Sequence, residues 1–224
     1  KPSRAGRRSG NLVTVNRWVR MLRALGHRVS VGDEYVDQAC DMLVVLHARH
    51  GAGSALRFGR KRPEASLIVA LSGTDLYRDL ERFERARQAL DAADRIVLLQ
   101  PHGQALLPRR LHRRCRVIYQ SVVPPATRRE KMSRWWQLVV VGHLRSVKDP
   151  LRAARAARLL PGTSRIRVVH LGAALSESMR EAATRESQAN PRYRWLGSRS
   201  TGEVARLLGR SQMMVLSSKM EGGA

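Results

Sequence analysis

The chain has 224 residues and a formal net charge of +24 at pH 7, because 42 lysines and arginines face only 18 aspartates and glutamates. This length allows one large domain or two smaller ones. The charge favours an anionic partner, such as nucleic acid, a membrane surface or an acidic small molecule, without choosing among them. Aromatic residues make up only 4% of the chain and do not interleave with the basic residues, which disfavours nucleic acid as a partner.

The sequence contains no candidate membrane span or secretion signal. No apolar run approaches the roughly 18 consecutive residues that a membrane helix needs. The chain does not open on a charged segment followed by an apolar stretch. The two cysteines, Cys40 and Cys115, form neither a metal-binding nor a redox spacing. We therefore expect a soluble protein of a reducing cytoplasm, with no metal and no bound cofactor.

The first predicted element is a helix from Asn11 to Leu25. Its apolar side chains recur at helical spacing and place Trp18 and Leu25 on one stripe, which we expect to face the core. Gly26 follows the last apolar residue and is positioned to end the helix.

Eight short apolar runs follow along the chain, and within each run most apolar residues are consecutive. This pattern is typical of strands that are covered on both faces, as in parallel sheets. The runs are DMLVVL (41–46), SLIVAL (66–71), RIVLL (95–99), RVIY (116–119), QLVVV (137–141), RIRVVHL (165–171), YRWLG (193–197) and MMVL (213–216).

Helical patterns lie between the runs. The segment from Asp75 to Ala92 has apolar residues on one face, and STGEVARLLG opens with Ser and Thr as candidate N-caps. Alternating strands and helices predict an α/β fold with right-handed crossovers.

One segment interrupts the alternation. VVPPATRREKMSR (122–134) contains two adjacent prolines and a mixed run of charges, and a new apolar run begins directly after it. We predict an interdomain linker here. The chain then divides into two Rossmann-like, doubly wound parallel-sheet domains, 1–125 and 126–224. We also expect both domains to be incomplete, because no strand precedes the first helix and the sequence stops inside the glycine-rich turn SSKMEGGA.

Polar and glycine residues gather where the predicted strands end. In open α/β sheets, ligands bind at the carboxyl ends of the strands, so these residues are candidates for a binding site. In the first domain they are His47, Arg49, His50, Ser72, Gly73, Thr74, Asp75, Gln120 and Ser121. In the second they are Gly142, His143, Arg145, Lys148, His170, Gly172, Ser217, Ser218, Lys219, Glu221, Gly222 and Gly223.

The pattern favours a ligand that carries phosphate. Gly10 and Asn11 open a helix whose first amides can point at an anion, and the EGGA turn repeats this arrangement in the second domain. Arg145 and Lys148 stand on a loop before a helix that we expect Asp149 and Pro150 to open, so they could neutralise two phosphates. A diphosphate would then be held in a cleft between the domains.

Each of these features also has a purely structural interpretation. The glycines can serve simple turns, His47 and His170 can be buried structural histidines, and Arg145 and Lys148 can be a solvated pair. Thr74 and Asp75 can act as an N-cap. The sequence lacks a G-x-G-x-x-G after a strand, a P-loop, a G-x-S-x-G and a zinc spacing. These absences disfavour dinucleotide oxidoreductases, P-loop enzymes and α/β hydrolases.

Two of the segments resemble a known family. VVVGHLRSVKDP followed by SSKMEGG resembles the second domain of GT-B glycosyltransferases of the family-four type. A fuller set of segments is similar, more narrowly, to the selenosugar synthases of selenoneine biosynthesis, and it covers nearly the whole chain. That set is SGNLVTVNRWVRMLRALGHRVSV, LHAR, LSGTDLYRDL, VIYQSV, GHLRSVKDPLRAARAARLLP, RIRVVHLGAAL, PRYRWLG and SSKMEGGA.

The resemblance implies a GT-B fold, with two Rossmann-like domains that face a cleft, and a hexosyltransferase activity. Members of the group join a UDP-sugar, UDP-N-acetylglucosamine or UDP-glucose, to selenophosphate. It implies that Arg145 and Lys148 bind the diphosphate, that Glu221 binds the sugar and that the amides of Gly222 and Gly223 bind the phosphates.

The resemblance also assigns roles in the first domain. Ser9, Gly10 and Asn11 would close over the donor, with Gly142 beside it in the second domain. Arg49, Thr74, Asp75 and Gln120 would lie near the acceptor. His47, Arg145 and Lys148 are the residues that we expect to take part in catalysis.

Two alternatives remain open at this stage. One is a different GT-B glycosyltransferase with an oxygen or lipid-linked acceptor, including an enzyme that builds glycolipids at a membrane surface. The other is a basic α/β module that binds nucleic acid and has no catalytic activity.

Overall fold

The computed structural model describes residues 10–122 and 134–223. These residues form two compact units. Unit 1 contains the residues up to Ser121 together with the last residues from Glu221 onward, and unit 2 is Val122–Met220. The predicted linker falls almost entirely on residues 123–133, which lie outside the described part, so the boundary at 125 stays a prediction.

Unit 1 is built on a four-stranded parallel sheet in the order β1-β2-β3-β4. Its strands are β1 (Met42–Leu46), β2 (Ser66–Ala70), β3 (Arg95–Leu98) and β4 (Cys115–Val117). Its α-helices are α1 (Gly10–Ala24), α2 (Ala52–Lys61), α3 (Leu80–Arg82) and α4 (Glu84–Ala92), with a π-helical segment over Asp75–Asp79 and 3₁₀ turns over Pro101–Leu106 and Arg109–Arg114.

The core of unit 1 lies where the helices cover this sheet. Phe58 of α2 is fully buried together with Leu67, Ile96 and Leu98 of the strands. The ring of Tyr35 meets the ring of Phe58 edge-on, with centroids 5.2 Å apart. Burying a side chain of this size contributes about 1.5 to 3 kcal/mol, so the consecutive apolar residues of the strands are the main source of the stability of this unit.

The single helix predicted from Asp75 to Ala92 is wrong, because the chain leaves helical geometry at Phe83, whose φ is −122° and ψ is 108°. Arg87 connects the two halves across the break. Its Nη1 donates to the carbonyl oxygens of Leu80 and Glu81, at 2.9 and 3.0 Å, and its guanidinium also pairs with the Glu84 carboxylate. One side chain therefore satisfies carbonyls at the end of α3 and holds the acid in the first turn of α4.

The first helix lies where the sequence predicted it, but its apolar side chains are less buried than expected. Leu25 is 74% exposed and lies beyond the end of α1, and no residue of α1 is fully buried. The helix is attached instead through Gln120, whose Nε2 donates to Thr14 Oγ1 at 3.1 Å and whose Oε1 accepts from Arg17 at 3.4 Å. Trp18 is half-buried.

Unit 2 contains a second four-stranded parallel sheet, in the order β7-β6-β5-β8. Its strands are β5 (Trp136–Val141), β6 (Ile166–Leu171), β7 (Tyr193–Trp195) and β8 (Met213–Val215), and its helices are α5 (Arg152–Arg158), α6 (Glu177–Ala189) and α7 (Thr201–Arg210). All eight predicted strands are therefore present. Ser200 and Glu203 form a capping box at the start of α7, as the Ser and Thr at that position predicted.

The strand order of unit 2 reverses direction. From β5 the chain adds β6 and then β7 on one side of the sheet, and it returns to place β8 on the other side of β5. This reversal makes the sheet doubly wound and creates a crevice at the carboxyl ends of β5 and β8. In the described part of unit 1, by contrast, successive strands are neighbours throughout.

No helix within residues 10–122 and 134–223 is both long enough and apolar enough to cross a bilayer.

We predict that Arg87→Ala lowers the free energy of unfolding by about 1 to 2 kcal/mol, because it removes charge-assisted hydrogen bonds that lie partly in solvent. Denaturant titration followed by circular dichroism measures this difference. Arg60→Ala is the control, because it removes the same charge from an exposed position at the end of α2. Equal stability of the two variants would contradict the bridging role of Arg87.

Candidate functional site

The candidate site of unit 2 lies at the strand reversal between β5 and β8. Residues 142–150 leave the carboxyl end of β5, and residues 216–219 leave the carboxyl end of β8. Because the two strands are paired in parallel, both loops emerge at the same edge of the sheet.

The loop after β5 differs from the prediction in one respect. Ser146–Lys148 form a 3₁₀ turn, and Asp149 follows it with φ 41° and ψ 57°, in the left-handed region. Asp149 and Pro150 therefore do not open the next helix, and α5 begins at Arg152. The Asp149 carboxylate pairs with the Arg152 guanidinium. Asp149 and Pro150 therefore belong to the loop, and the left-handed Asp149 gives it a tight turn that the sequence pattern did not predict.

Hydrogen bonds connect the two loops. The Ser217 hydroxyl donates to the carbonyl oxygen of Asp149 at 3.0 Å, and the Lys219 amide donates to the carbonyl oxygen of Val147 at 2.9 Å. The backbone that carries Arg145 and Lys148 is therefore fixed against the loop after β8.

A small pocket opens between the loops. Lys148, half-buried, is in its wall, and the Arg145 side chain is exposed on the same loop. The other lining residues come from the ends of β5, β6 and β8 and are Val140, Val141, Gly142, His143, Pro150, His170, Val215, Leu216, Ser217 and Ser218. Gly142 and Lys148, two of the predicted donor-binding residues, therefore line this pocket, and Arg145 lies on the same loop without lining it.

Ser217 and Ser218 were predicted to lie at the end of the last strand, without a specific role, and they line this pocket. Their position directly after a predicted strand is the signal that identified them, since polar residues at strand ends face the ligand edge of such sheets.

His170 supports the floor of this pocket. It is fully buried, with Nε2 3.0 Å from the carbonyl oxygen of Gly142 and Nδ1 3.0 Å from the hydroxyl of Tyr193. A carbonyl can only accept, so Nε2 carries the proton and Nδ1 accepts from Tyr193. Burial lowers the pKa of His170, and the hydrogen bond to Gly142 opposes this in part. His170 is therefore a neutral structural residue, as its alternative interpretation held.

Gly172 is required where β6 leaves the sheet. Its φ is +153°, and a Cβ on this residue would fall on the carbonyl group of Gly142. The Trp195 indole donates to the carbonyl oxygen of Gly172 at 2.8 Å, and the Gly172 amide donates to the carbonyl oxygen of Gly197 at 2.8 Å. The backbone of β6 thus passes directly beneath the start of the loop that carries Arg145.

We predict that Gly172→Ala destabilises unit 2 by about 3 kcal/mol, from overpacking against backbone that cannot yield and from an unfavourable φ. Gly142→Ala is the matched control, because a Cβ at Gly142 meets nothing within 4 Å. Denaturant titration followed by tryptophan fluorescence, to which Trp195 of unit 2 contributes, measures both. Comparable losses in the two variants would contradict the close approach.

We further predict that acid weakens unit 2 through His170. The folded pKa lies below the ordinary value of about 6.5, so on acidification the unfolded chain binds a proton first and the free energy of unfolding falls as the pH drops below about 6.5. The contribution approaches about 1.4 kcal/mol per pH unit. His170→Gln cannot titrate and should show a shallower decline between pH 7 and pH 5 in the same titrations. Parallel curves would contradict the assignment.

In unit 1, the structure places His47 and Asp75 together at the ends of β1 and β2. His47 is 4% exposed and has φ 85°, an unfavourable value for a residue with a side chain. Its Nδ1 lies 3.7 Å from Asp75 Oδ2, and its Nε2 lies 3.9 Å from Asp79 Oδ2. Burial lowers the pKa of His47, although Asp75 raises it in part. Its part in catalysis stays a prediction.

The Asp75 carboxylate is occupied by its own surroundings. It accepts from the amides of Ala48 and Ser72 at 2.9 and 2.7 Å, and from the Ser72 hydroxyl at 2.9 Å. Asp75 is fully buried. Thr74 precedes it in helical geometry, and its side chain makes no capping hydrogen bond. The N-cap expected from this pair is therefore replaced by a carboxylate that ties the turn after β2 to the turn after β1.

The remaining predicted residues are distributed as follows. Gly10 and Asn11 open α1, whereas Ser9 lies outside the described residues. Gly222 packs within unit 1, where a Cβ would fall on the backbone of Gly73, and a Cβ on Gly223 would fall on Leu99. Glu221 belongs to the same unit. The turn is therefore in unit 1 and the Arg145 loop is in unit 2, and their joint use in one site stays a prediction.

Gln120 holds α1, as described above, and Arg49 lies beside Asp79. In the parts of the chain that the structure describes, no group of three or more His, Cys, Asp and Glu side chains is arranged to hold a metal ion.

No family model matches the sequence, and no curated protein matches it by sequence. Solved structures do match the fold. Anabaena HepE in complex with UDP-glucose aligns with a TM-score of 0.57 and 15% identity over 80% of this chain and 53% of its own. The OtsA apo structure aligns with a TM-score of 0.60 and 12% identity over 94% of this chain and 57% of its own.

A variant of S. aureus TarM in complex with fondaparinux, alpha-GlcNAc-glycerol and UDP aligns with a TM-score of 0.59 and 12% identity, over 92% of this chain and 40% of its own. At such identities the likeness shows the fold. The chain has two α/β units with parallel sheets, of the GT-B type, as predicted. It spans about half the length of the HepE structures that it matches.

Proposed function

We propose that this chain is the donor-binding and acceptor-side part of a glycosyltransferase that uses a UDP-sugar. The finer proposal is that UDP-N-acetylglucosamine or UDP-glucose donates the sugar and that selenophosphate accepts it, which gives a selenosugar. The observation that carries the donor part is the fixed loop of Arg145 and Lys148 at the strand reversal of unit 2.

Three features of this loop support binding of a diphosphate. It stands at the reversal point, where open α/β sheets bind nucleotides. It carries two cations that can neutralise two phosphates. It is held by Ser217 and Lys219 through backbone carbonyls, so the Arg145 and Lys148 side chains start from a fixed backbone. The structural neighbours add support, because HepE was solved with UDP-glucose and TarM with UDP.

The acceptor part of the proposal depends on the resemblance to selenosugar synthases. Selenophosphate is an anionic nucleophile that needs little help from a general base. Its selenium would form a bond to the anomeric carbon as the bond from that carbon to the UDP oxygen breaks, and the electron pair would leave with UDP. The phosphoryl group stays on selenium in this step, and water would then cleave the phosphorus–selenium bond to release phosphate and the selenosugar. Arg145 and Lys148 would stabilise the charge that develops on the diphosphate. His47 and Arg49 are proposed on the acceptor side.

We predict that Arg145→Ala and Lys148→Ala each weaken UDP binding by about 1.5 to 3 kcal/mol, the contribution of a hydrogen bond to a charged partner. Isothermal titration with UDP measures the loss. Arg210→Ala is the matched control, because Arg210 is an exposed residue that ends α7 shortly before β8 begins, at the opposite edge of the sheet. Unchanged isotherms for the two loop variants, or an equal loss in the control, would contradict the donor site.

The reaction itself can be tested with a labelled UDP-sugar and selenophosphate. We expect a labelled selenosugar and free UDP as products, with less of both from Lys148→Ala. Formation of a product from an oxygen or lipid-linked acceptor, with none from selenophosphate, would keep the donor proposal and overturn the acceptor proposal. Failure to turn over any acceptor, together with failure to bind UDP, would overturn both.

A further inference from the structure

A second cleft lies on unit 1, between the start of α2 and the break between α3 and α4. Three arginines, Arg49, Arg82 and Arg85, line it, together with His50, Phe83 and Glu84. The predicted function gives Arg82 and Arg85 no role. The sequence did not indicate that they line a cleft, because it predicted one continuous helix through them. The break at Phe83 is what opens this cleft.

Arg49 lies in the wall of the cleft and contacts Phe83 and Asp79. Its guanidinium carbon lies 3.8 Å from the centroid of the Phe83 ring, and its Nη1 lies 3.6 Å from Oδ2 of the fully buried Asp79. The same carboxylate accepts from Arg78 Nε at 2.8 Å. Because Arg49 and Arg78 share the single carboxylate of Asp79, that carboxylate does not cancel the charge of Arg49.

Arg85 lies over the first turn of α2. Its Nη2 is 4.0 Å from the position that a Cβ on Gly53 would take. In residues 10–122 and 134–223, the structure records no carboxylate within ion-pair distance of Arg82 or Arg85. The first turn of α2 contains no acidic residue and no side-chain cap, so the backbone adds a positive end of a helix dipole to the same space.

The one acidic residue of the cleft is Glu84, and it is already paired. Its carboxylate pairs with Arg87, three residues further along α4. The same Arg87 side chain donates to carbonyl oxygens of α3, as described above. Three guanidinium groups therefore face a cleft whose single carboxylate is neutralised from outside it.

We propose that this cleft binds a small, multiply charged oxyanion of the phosphate class, either free phosphate or the phosphoryl group of a small organic molecule. Arg49 provides a guanidinium that stacks on Phe83, and Arg82 and Arg85 provide charge from either side of the break. Guanidinium groups match the geometry of phosphate oxygens and bind them through paired hydrogen bonds. The cleft shares Arg49 with the acceptor side of the proposed function, whereas Arg82 and Arg85 have no role there. The proposal rests on the proposed function only through Arg49, and loss of phosphate binding in the Arg82 and Arg85 variants tests it without a UDP-sugar.

Isothermal titration with inorganic phosphate and with glycerol 3-phosphate, in a low-salt buffer, tests the proposal. We expect saturable binding that becomes about 10-fold weaker in Arg82→Gln and in Arg85→Gln. If the variants weaken binding of inorganic phosphate alone, the cleft is a site for free phosphate. If they weaken binding of both probes, the cleft accepts a phosphoryl group on an organic ligand.

Two controls separate a site from diffuse charge. Arg60→Gln removes the same charge from the other end of α2 and should change the affinity less than 2-fold, and Arg210→Gln, at the exposed end of α7, should leave this binding intact. Absence of saturable binding to the unaltered protein, or an equal loss in either control, would overturn the proposal.

A measurement on the unaltered protein guards against variants that fold poorly. In a heteronuclear NMR titration with inorganic phosphate, we expect the amide of Gly53 to shift and to saturate with the affinity found by calorimetry. Binding that leaves the Gly53 amide unshifted would overturn the proposal as well.

Discussion

The pairing of β8 with β5 is the constraint on which the candidate site of unit 2 depends. It places the loop after β8 beside the loop after β5, so that the Ser217 hydroxyl and the Lys219 amide can donate to the carbonyl oxygens of Asp149 and Val147. Without that pairing, Arg145 and Lys148 would stand on an isolated segment at the edge of a sheet. With it, their backbone is part of a braced structure, and a braced cation loses less entropy when it binds an anion.

The support extends one layer below the loop. His170 donates to the Gly142 carbonyl, and the tight passage of Gly172 under Gly142 fixes the exit of β6 against the exit of β5. A neutral histidine suits this position, because a charged one would bring an uncompensated charge into the core. Unit 1 uses a comparable device, in which the Asp75 carboxylate ties the turns after β1 and β2 together.

The sequence was sufficient to predict the strands and the class of fold, because eight consecutive apolar runs can be buried in few other ways. It could not predict the break at Phe83, since the apolar spacing continues through that residue and the break is closed by Arg87 from the following turn. The left-handed Asp149 was missed for a related reason. An Asp-Pro pair before an alanine-rich helix is typical of a helix start. Here the Asp149 carbonyl instead accepts from Ser217 in the loop after β8, and the helix begins at Arg152.

The candidate site residues differ in the same way, because some positions follow from the strand pattern and others depend on contacts between distant segments. Gly142, Arg145 and Lys148 follow β5 on a single loop, and the loop after β8 meets that loop because the carboxyl ends of paired parallel strands lie at one edge of the sheet. Their shared role in donor binding stays a prediction. Asp75 and Gln120 were predicted to lie near the acceptor, which stays a prediction. In the structure the Asp75 carboxylate accepts four hydrogen bonds from the turns around it, and the Gln120 side chain holds α1. Which polar group a buried carboxylate will satisfy depends on contacts between distant segments, and no local pattern encodes it.

The strand order has a consequence for how the two units are assembled. In the described part of unit 1, each strand adds beside its predecessor, so its sheet can grow in the order in which the chain is made. Unit 2 closes differently, because β8 must return to β5 and the Gln137 amide meets the side chain of Gln212 75 positions along the chain. Closing so long a loop carries a larger entropic cost, so the edge of the sheet that carries Arg145 takes its folded form only after β8 has docked against β5, and a nascent chain that has not yet released β8 leaves that edge unfinished.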